Sequence, residues 1–144
     1  MKKQYDFKND RFYNSNHLWM EKDESGHVTV GMDELGLDSL GELAYLTLPG
    51  VGTPVEMGKP MGSMEAAKMT GELCAPVSGI VIEKNDAVLQ NPLLANEQPY
   101  DKGWLVKIKP TNWEEESVSM VSGDNLAPWI EAEIERFETK GILD

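Results

Sequence analysis

The segment 64–73 reads MEAAKMTGEL and lies between two short extended segments, 61–64 and 73–76. The small residues Ala66 and Ala67 precede Lys68, and Thr70 and Gly71 follow it. We therefore predict a tight turn of a β-hairpin with Lys68 at its tip, where a four-carbon stem carries the amine into solvent. An unprotonated amine accepts an activated carboxylate as an amide, but most lysines are ordinary surface residues, so Lys68 alone does not establish a function.

Short extended segments, punctuated by glycine and proline, continue on both sides of this turn. The segments 27–31, 43–48 and 80–82 are each rich in β-branched or other apolar residues. The clearest alternation is WLVKIK at 104–109, which Pro110 ends. Many short strands with such punctuation are typical of a β-sandwich or barrel, so the predicted fold class is mainly β.

Two segments have a helical pattern instead. Asp33 is placed to cap a short helical turn over 33–40, in which Leu37 and Leu40 share one face. A longer C-terminal helix is predicted over about 125–139, with Asn125 or Asp124 as its cap, Pro128 in its first turn and Gly141 past its end. Its apolar face consists of Leu126, Trp129, Ile130, Ile134 and Phe137, with Glu131, Glu133, Glu135 and Glu138 around the rest.

This helix is expected to pack on the β domain, because a separate partner-binding helix would leave Trp129 and Phe137 exposed.

The chain also contains a weak repeat. Gly41-Glu42-Leu43 recurs as Gly71-Glu72-Leu73, and Val55…Gly58…Met61 is echoed by Val88…Asn91…Leu94. Two similar β units predict a quasi-two-fold sandwich, with Lys68 in the segment between its halves.

Composition excludes several classes of protein. A chain of 144 residues predicts a single domain, 1–144, and the net charge of −12 disfavours nucleic-acid binding and favours partners with basic surfaces. No apolar run is long enough to span a bilayer, and the polar start, 1–16, lacks a secretory signal and is expected to be loosely packed. A cytoplasmic protein with no membrane partner is the resulting expectation.

Metal and disulfide chemistry lack the residues that they need. Cys74 is the single cysteine, and His17 and His27 are the only histidines. An intramolecular disulfide is therefore impossible, and a zinc site of Cys and His ligands is not expected. We interpret Cys74 as a buried strand residue rather than a reactive thiol.

The segment 16–110 resembles the H protein of the glycine cleavage system, a relative of the lipoyl domains of 2-oxoacid dehydrogenases. The matching residues keep their order and spacing. They are His17-x-Trp19, Val28-Thr-Val-Gly31, Leu40-Gly-Glu42, Leu48-Pro49-x-Val51-Gly52, Gly58-Lys59, Glu65-x-x-Lys68, Ala75-Pro-Val-Ser-Gly79, Asn91-Pro92, Asn96-Glu97-x-Pro99-Tyr100 and Gly103-Trp104-Leu105-x-Lys107-Ile-Lys-Pro110.

The resemblance implies a barrel-sandwich hybrid (a lipoyl-domain-like fold) with a core over about 16–110 and a helical C-terminus. In that family the lysine at Lys68 carries covalently attached lipoate, and the positions of Glu65 and Gly79 are recognised by the lipoyl-attaching enzyme. The implied protein is a carrier, not an enzyme, and no side chain acts as a catalytic acid or base. The implied partners are dihydrolipoamide dehydrogenase and the enzyme that attaches the cofactor, which is a lipoate-protein ligase or a lipoyl transferase. The protein is expected to be a monomer.

Two residues depart from the family pattern. H proteins have His-Glu-Trp where this chain has His17-Leu18-Trp19, and a histidine where it has Glu34 after Asp33. In the family these side chains help to hold the cationic, aminomethyl-loaded arm in a cleft, although Glu34 could supply a compensating charge. The departures favour a related lipoate-binding branch that serves a heterodisulfide-reductase-like complex in sulfur oxidation, over the glycine cleavage P and T proteins.

Three further alternatives remain at this point. Ala67-Lys68-Met69 resembles the Met-Lys-Met core of biotin carriers, but the preceding methionine is absent, and the lipoyl interpretation is favoured. An unmodified interaction module would use the face of the C-terminal helix and would not need Lys68. A small acidic hydrolase would need a pair of carboxylates, and no arrangement in the sequence singles out such a pair.

Overall fold

The computed structural model describes residues 4–143. Within them lie nine strands: β1 Phe12–Tyr13, β2 Leu18–Lys22, β3 Val28–Met32, β4 Leu43–Thr47, β5 Pro54–Val55, β6 Pro60–Ala66, β7 Thr70–Cys74, β8 Gly79–Lys84 and β9 Val106–Pro110. They form a six-stranded sheet in the order β1-β2-β3-β9-β8-β5 and a three-stranded sheet in the order β4-β6-β7. Both sheets are antiparallel, so the mainly β prediction is confirmed.

The core lies between the two sheets and follows the alternation of the strands. On β3, Val28 and Val30 are fully buried and Thr29 is half-buried between them. The small sheet contributes Leu43 and Leu73, which are also buried and lie on the two strands that flank β6. Each buried apolar side chain of this size contributes about 1.5–3 kcal/mol, so the sandwich is held mainly by this shared apolar interior.

Five α-helices occur in the described part of the chain: α1 Glu34–Leu40, α2 Asp86–Gln90, α3 Leu93–Glu97, α4 Trp113–Glu116 and α5 Leu126–Thr139. Asp33 caps α1 as predicted, since its Oδ1 accepts the N–H of Gly36 at 2.8 Å. The helices α2, α3 and α4 were not predicted, because each has only four or five residues and is too short to show a helical period.

Helix α5 confirms the predicted C-terminal helix and its packing. Leu126 and Phe137 are buried, and Gly141 has a φ of 71° just past the end of the helix. Asn125 occupies the N-cap position, as predicted, but its side chain makes no capping hydrogen bond, and a 3-10 turn, Gly123–Asn125, leads into the helix. Glu133, expected on the solvent face, is buried, and the reason lies in its partners, described below.

The expectation of a loosely packed N-terminus is wrong for residues 4–16, and residues 1–3 lie outside the described part. Phe12–Tyr13 form β1, and the fully buried Tyr13 exchanges two hydrogen bonds between its hydroxyl and the backbone of Lys8. The Phe7 ring lies 5.2 Å from the Tyr13 ring. Because this segment is polar overall, its sequence did not indicate that its aromatic side chains would pack into the core.

Between residues 4 and 143, none of the helices is both long and apolar enough to cross a membrane.

Candidate lysine attachment site

Lys68 lies at the exposed tip of the hairpin between β6 and β7, as predicted. The last pair of the ladder joins Glu65 to Thr70, and the N–H of Ala66 donates to the carbonyl of Met69 at 3.0 Å. Lys68 itself is exposed. A reagent or enzyme can therefore approach its amine from solvent.

The tip is fastened to the C-terminal end of α1. The backbone N–H groups of Lys68 and Ala67 donate to the carbonyls of Leu40 and Glu42, each at 2.9 Å, and the Lys68 Nζ donates to the Asp38 carbonyl at 2.9 Å. The last carbonyls of a helix have no partner within it, and Lys68 supplies donors to two of those of α1, the carbonyls of Asp38 and Leu40. Gly41, with a φ of 85°, makes this contact possible. A Cβ there would lie 3.2 Å from the Ala67 Cβ and 3.3 Å from the Lys68 Cγ.

On one side of α1 lies an open cleft of about 540 Å³, which we call the acidic cleft. Helix α1 contributes Glu34, Leu37 and Asp38 to its wall, and Glu42 and Lys68 lie at the hairpin end. Three carboxylates thus surround the space into which the Lys68 stem extends. Such a wall favours cations over anions.

The N-terminal segment forms the outer wall of the acidic cleft. The Tyr5 hydroxyl donates to the Asp38 Oδ2 at 2.6 Å, and the N–H of Asp6 donates to the Glu34 Oε1 at 2.8 Å. The Tyr100 hydroxyl then donates to the Asp6 carbonyl at 2.5 Å. These bonds hold residues 5 and 6 against the start of α1 and orient both carboxylates.

On the other side of α1 lies a cleft of about 250 Å³, which we call the apolar cleft. Its wall includes Arg136 and Phe137 from α5, together with Glu72 and Cys74 from β7. Cys74 is a strand residue, as predicted, but it is only half-buried because it opens on this cleft. The large apolar side chains on the rest of the wall are Leu18, Met32, Leu40, Met64 and Leu73, and its polar side chains are Ser15, Asn16, His17 and Ser39.

A buried polar cluster joins α5 to the β domain behind the apolar cleft. His17 is 2% exposed, with its Nδ1 2.8 Å from the Asp33 Oδ2 and its Nε2 2.9 Å from the Glu133 Oε1. Arg136 donates to both oxygens of Glu133, at 2.6 and 2.9 Å. The Trp129 ring stacks on the imidazole with 5.1 Å between centroids. The cluster explains why Glu133 is buried.

The charge state of this cluster follows from its geometry. Both ring nitrogens of His17 face carboxylates, and only an imidazolium can donate to both. Burial opposes that charge, but the hydrogen bonds to Asp33 and Glu133 outweigh burial and raise the pKa of His17 above its ordinary value. The hydrogen bonds from Arg136, with a smaller contribution from His17, lower the pKa of Glu133. Burial raises the pKa of Asp33, against the opposing effect of its hydrogen bonds with His17 and Gly36.

The residues predicted from the family pattern occupy different places. Leu18 lines the apolar cleft and Glu34 lines the acidic cleft, so α1 separates the two departures. Glu65 is exposed on β6, three residues before Lys68. Gly79 is buried in the large sheet, where a Cβ would collide with the carbonyl oxygen of Lys109, which gives this glycine a packing role.

Sequence reasoning missed three contributors to this region. The Asp38 carbonyl receives the Lys68 amine, Arg136 lines the apolar cleft, and Glu133 binds His17. The acidic spacing along α5 carried no signal that distinguished Glu133 from its neighbours. Among residues 4–143, no group of three or more His, Cys, Asp or Glu side chains is arranged to hold a metal ion.

Comparisons with known proteins agree with this geometry. A probable glycine cleavage system H protein of Thermococcus kodakarensis is 39% identical over 127 residues, which is 88% of this chain and 94% of that protein. The glycine cleavage system H protein of Oceanobacillus iheyensis is 36% identical over 122 residues, with 85% and 95% of the two chains covered.

The crystal structure of a glycine cleavage system H protein from Mycobacterium marinum superposes with a TM-score of 0.69 at 34% identity. The superposition covers 73% of this chain and 87% of that one. The family model described as "Glycine cleavage H-protein" matches residues 11–133. These matches confirm the resemblance that the sequence motifs indicated, and the chain belongs to the glycine cleavage H-protein family.

Proposed function

We propose that this chain is a lipoyl carrier, with lipoate joined through an amide bond to the Nζ of Lys68. The observation that carries the proposal is the exposed amine at the tip of a hairpin whose backbone is bonded to α1. Transfer of an activated lipoyl group forms the amide, releases the leaving group and removes the positive charge of the amine. Membership of the H-protein family supports lipoate over biotin at this lysine.

The carrier is proposed to serve glycine cleavage, handing an aminomethyl group held on the reduced arm from the P protein to the T protein. The relatives described above are glycine cleavage proteins, and nothing in the comparisons supports the sulfur-oxidation branch that Leu18 and Glu34 favoured. The structure supplies a physical reason to set that preference aside. A carboxylate is missing at Leu18, but Asp38 and Glu42 join Glu34 around the acidic cleft, so a cationic cargo still meets negative charge.

The partners proposed for the carrier follow from the same membership. They are a lipoate-protein ligase or lipoyl transferase, dihydrolipoamide dehydrogenase, and the P and T proteins. The net charge of −12 favours basic docking surfaces on these enzymes. The exposed Glu65, beside the hairpin tip, is proposed to be recognised by the attaching enzyme. Recognition of Gly79 by the same enzyme stays a prediction. A cytoplasmic location and a monomeric state also stay predictions.

Intact mass after incubation with a lipoate-protein ligase, ATP and lipoate tests the attachment. We expect a gain of one lipoyl group, abolished in Lys68→Arg, because a guanidinium remains protonated and is a poor nucleophile. Lys59→Arg is the matched control, since Lys59 is another exposed lysine, at the turn before β6. A gain that persists in Lys68→Arg, or no gain with any ligase or transferase tried, would contradict the proposal.

The pathway is tested by loading. The lipoylated protein is incubated with glycine decarboxylase and glycine labelled at its α-carbon, since the carboxyl carbon leaves as CO2, and label retained on the protein after desalting is measured. We expect label on the wild type and background label on Lys68→Arg. Lipoylated protein that gains no label, under conditions that load an authentic H protein, would contradict glycine cleavage while leaving the lipoyl site intact.

A further inference from the structure

The edge strands of the two sheets differ in what lies beside them. The backbone of Tyr13 on β1 exchanges two hydrogen bonds with Val121, and β5 has only two residues. On the small sheet, α2 and α3 contact β4, and the Asn96 side chain accepts the N–H of Leu43. The remaining edge strand, β7, is paired with β6. Among residues 4–143, no strand or helix is hydrogen-bonded to its other side.

The register of the hairpin fixes which backbone groups of β7 point away from β6. The N–H of Ala66 donates to the Met69 carbonyl and closes the hairpin. In an antiparallel ladder, hydrogen-bonded pairs of this kind alternate with pairs whose backbone groups point away from the partner strand. Counted along β7 from this bond, Thr70 and Glu72 belong to the second kind. Their N–H and C=O groups therefore face outward, and no described residue is bonded to them.

This outward edge is open to solvent, since Thr70, Gly71 and Glu72 are all exposed. A row of unpaired N–H and C=O groups is a template on which another extended segment can form main-chain hydrogen bonds. Lysine, proline and β-bulges commonly block such edges. Strand β7 contains neither lysine nor proline, and the irregularity in its pairing with β6 lies between Pro60 and Gly62, at the end far from the tip.

The charge of this edge disfavours a second copy of the chain as the pairing strand. Two β7 strands paired through their outward groups would place the two Glu72 side chains diagonally across the pair, within reach of each other. Two chains with a net charge of −12 would also repel each other. Glu65 lies opposite Thr70 in the ladder and adds a second exposed carboxylate. The edge therefore fits an extended segment that carries lysine or arginine.

Among the partners proposed for the carrier, the lipoyl-attaching enzyme is the one that must approach this edge. It forms the amide at the Lys68 Nζ itself, whereas the other enzymes react with the dithiolane at the far end of the arm. Thr70 follows Lys68 by two residues, so the two Cα atoms are at most about 7 Å apart. An enzyme whose active site holds the Lys68 amine therefore covers the residues that begin β7.

We propose that the lipoyl-attaching enzyme binds this chain by strand addition: an extended, basic segment of the enzyme pairs with the outward edge of β7 through the backbone of Thr70 and Glu72. The inference rests on the proposed lipoyl carrier and names how its attaching enzyme holds it. Main-chain pairing fixes the register of the two strands, and β7 continues directly from the hairpin tip. The pairing thereby sets the position of the Lys68 Nζ relative to the activated lipoyl group, as a reaction between two bound groups requires.

Proline at an outward position removes the N–H that strand addition needs and leaves the ladder with β6 complete. Glu72→Pro is the main variant, because Gly71 before it is already extended, as the residue before a proline prefers. Glu72→Gln removes the same charge and keeps the N–H. Glu24→Pro is the matched control, since it makes the same replacement at the second position of the turn 23–26, where Glu24 is exposed and proline is favoured.

The measurement is the rate of lipoylation by a lipoate-protein ligase with ATP and lipoate, followed by intact mass while the concentration of the carrier is varied. We expect Glu72→Pro to raise the KM for the carrier about five- to tenfold, the effect of a lost hydrogen bond, with kcat within about twofold of the wild type. Glu72→Gln should raise the KM about twofold at low ionic strength and less at high ionic strength, since salt screens exposed charges. Glu24→Pro should keep the wild-type KM.

Hydrogen exchange provides a second measurement. The variant Lys68→Arg is not acylated, so its complex with the ligase, ATP and lipoate persists and can be followed by amide NMR. Added ligase should slow exchange at Thr70 and Glu72 at least about tenfold and leave Glu24 unchanged, because amides in a paired strand are protected. If urea denaturation shows that Glu72→Pro does not fold, this exchange decides the question.

The outcomes separate this inference from the proposed function. A wild-type KM in Glu72→Pro, an equal rise in Glu72→Pro and Glu72→Gln, or unprotected amides at Thr70 and Glu72 in the complex would each overturn strand addition. A wild-type protein that no ligase or transferase lipoylates overturns the carrier function together with this inference. A wild-type protein that is lipoylated while the edge of β7 shows none of these effects overturns the inference alone.

Discussion

The hairpin tip at Lys68 and the buried cluster at His17 hold charged side chains in opposite ways. Lys68 is exposed, and its stem is directed by a backbone carbonyl at the end of α1. His17 is 2% exposed, and both of its ring nitrogens face carboxylates. Its backbone also has a φ of 60°, a conformation that residues with a side chain seldom adopt and that surrounding contacts must stabilise.

This difference separates reactivity from stability. A charge at the surface keeps its hydration and is worth little to folding, so the amine remains available for chemistry. A buried charge is costly to leave without its partners, so the cluster at His17 fixes the position of α5. The apolar cleft takes part of its wall from the cluster, through His17 and Arg136, and part from the strands of the hairpin, β6 and β7. Changes in the cluster should therefore alter stability, and changes at the tip should alter acylation.

The largest effect on stability is expected from Asp33→Ala. This change leaves the His17 charge with one carboxylate fewer and removes the acceptor for the N–H of Gly36 at the start of α1. Breaking a buried pair costs about 3–5 kcal/mol, so the free energy of unfolding should fall by that amount in urea denaturation. Asp124→Ala, at an exposed position, is the control. Equal effects of the two changes would mean that the cluster does not stabilise the fold.

The next effect is a dependence of stability on pH. The folded state raises the pKa of His17 above 6.5, so its stabilising contribution is complete below the unfolded pKa and is lost as the pH rises through the folded pKa. The free energy of unfolding should fall in that window by at most about 1.4 kcal/mol per pH unit. The lowered pKa of Glu133 acts in the opposite sense at acid pH, where its contribution is lost as the pH falls.

Urea denaturation across a series of pH values, on the wild type and on His17→Gln, measures this contribution. The variant should be less stable and should show a flatter decline above neutral pH. An unchanged slope in His17→Gln would show that another group causes the decline.

A smaller effect, on both stability and the rate of lipoylation, is expected from a change at Gly41. Gly41→Ala places a side chain at a φ of 85° and presses a Cβ on Ala67 and Lys68. We expect a loss of about 1 kcal/mol in the free energy of unfolding, with slower lipoylation because the tip shifts. Gly71→Ala is the matched control on the same hairpin, since a Cβ there meets no atom within 4 Å. Identical lipoylation rates for the two variants would show that the contact with α1 does not position Lys68.

The smallest effect on stability is expected from Lys68→Arg. The variant should lose lipoylation, while its free energy of unfolding stays within about 0.5 kcal/mol of the wild type, as for an exposed surface position. Thermal or urea denaturation of the unmodified proteins makes the comparison. A loss of several kcal/mol would show that the tip is part of the stabilising framework and would remove the contrast between the tip and the His17 cluster.

Local patterns in the sequence predicted the parts whose causes are local. Glycine and small residues around Lys68 predicted the hairpin, and the spacing of Leu126, Trp129 and Phe137 predicted α5. The helices α2, α3 and α4 were not predicted, because they are too short to show a helical period in the sequence. The packing of the N-terminal segment was not predicted, because its composition is mostly polar despite its aromatic residues.

The sequence by itself determined the family, the lysine at the hairpin tip and the two departures at Leu18 and Glu34. Only the tertiary structure placed those departures in separate clefts and brought His17 between Asp33 and Glu133. His17 and Glu133 lie 116 positions apart in the sequence. The physical reason is that turns and helix faces arise from neighbouring residues. The charge of a cleft, in contrast, is the sum over segments that meet only when the core has formed.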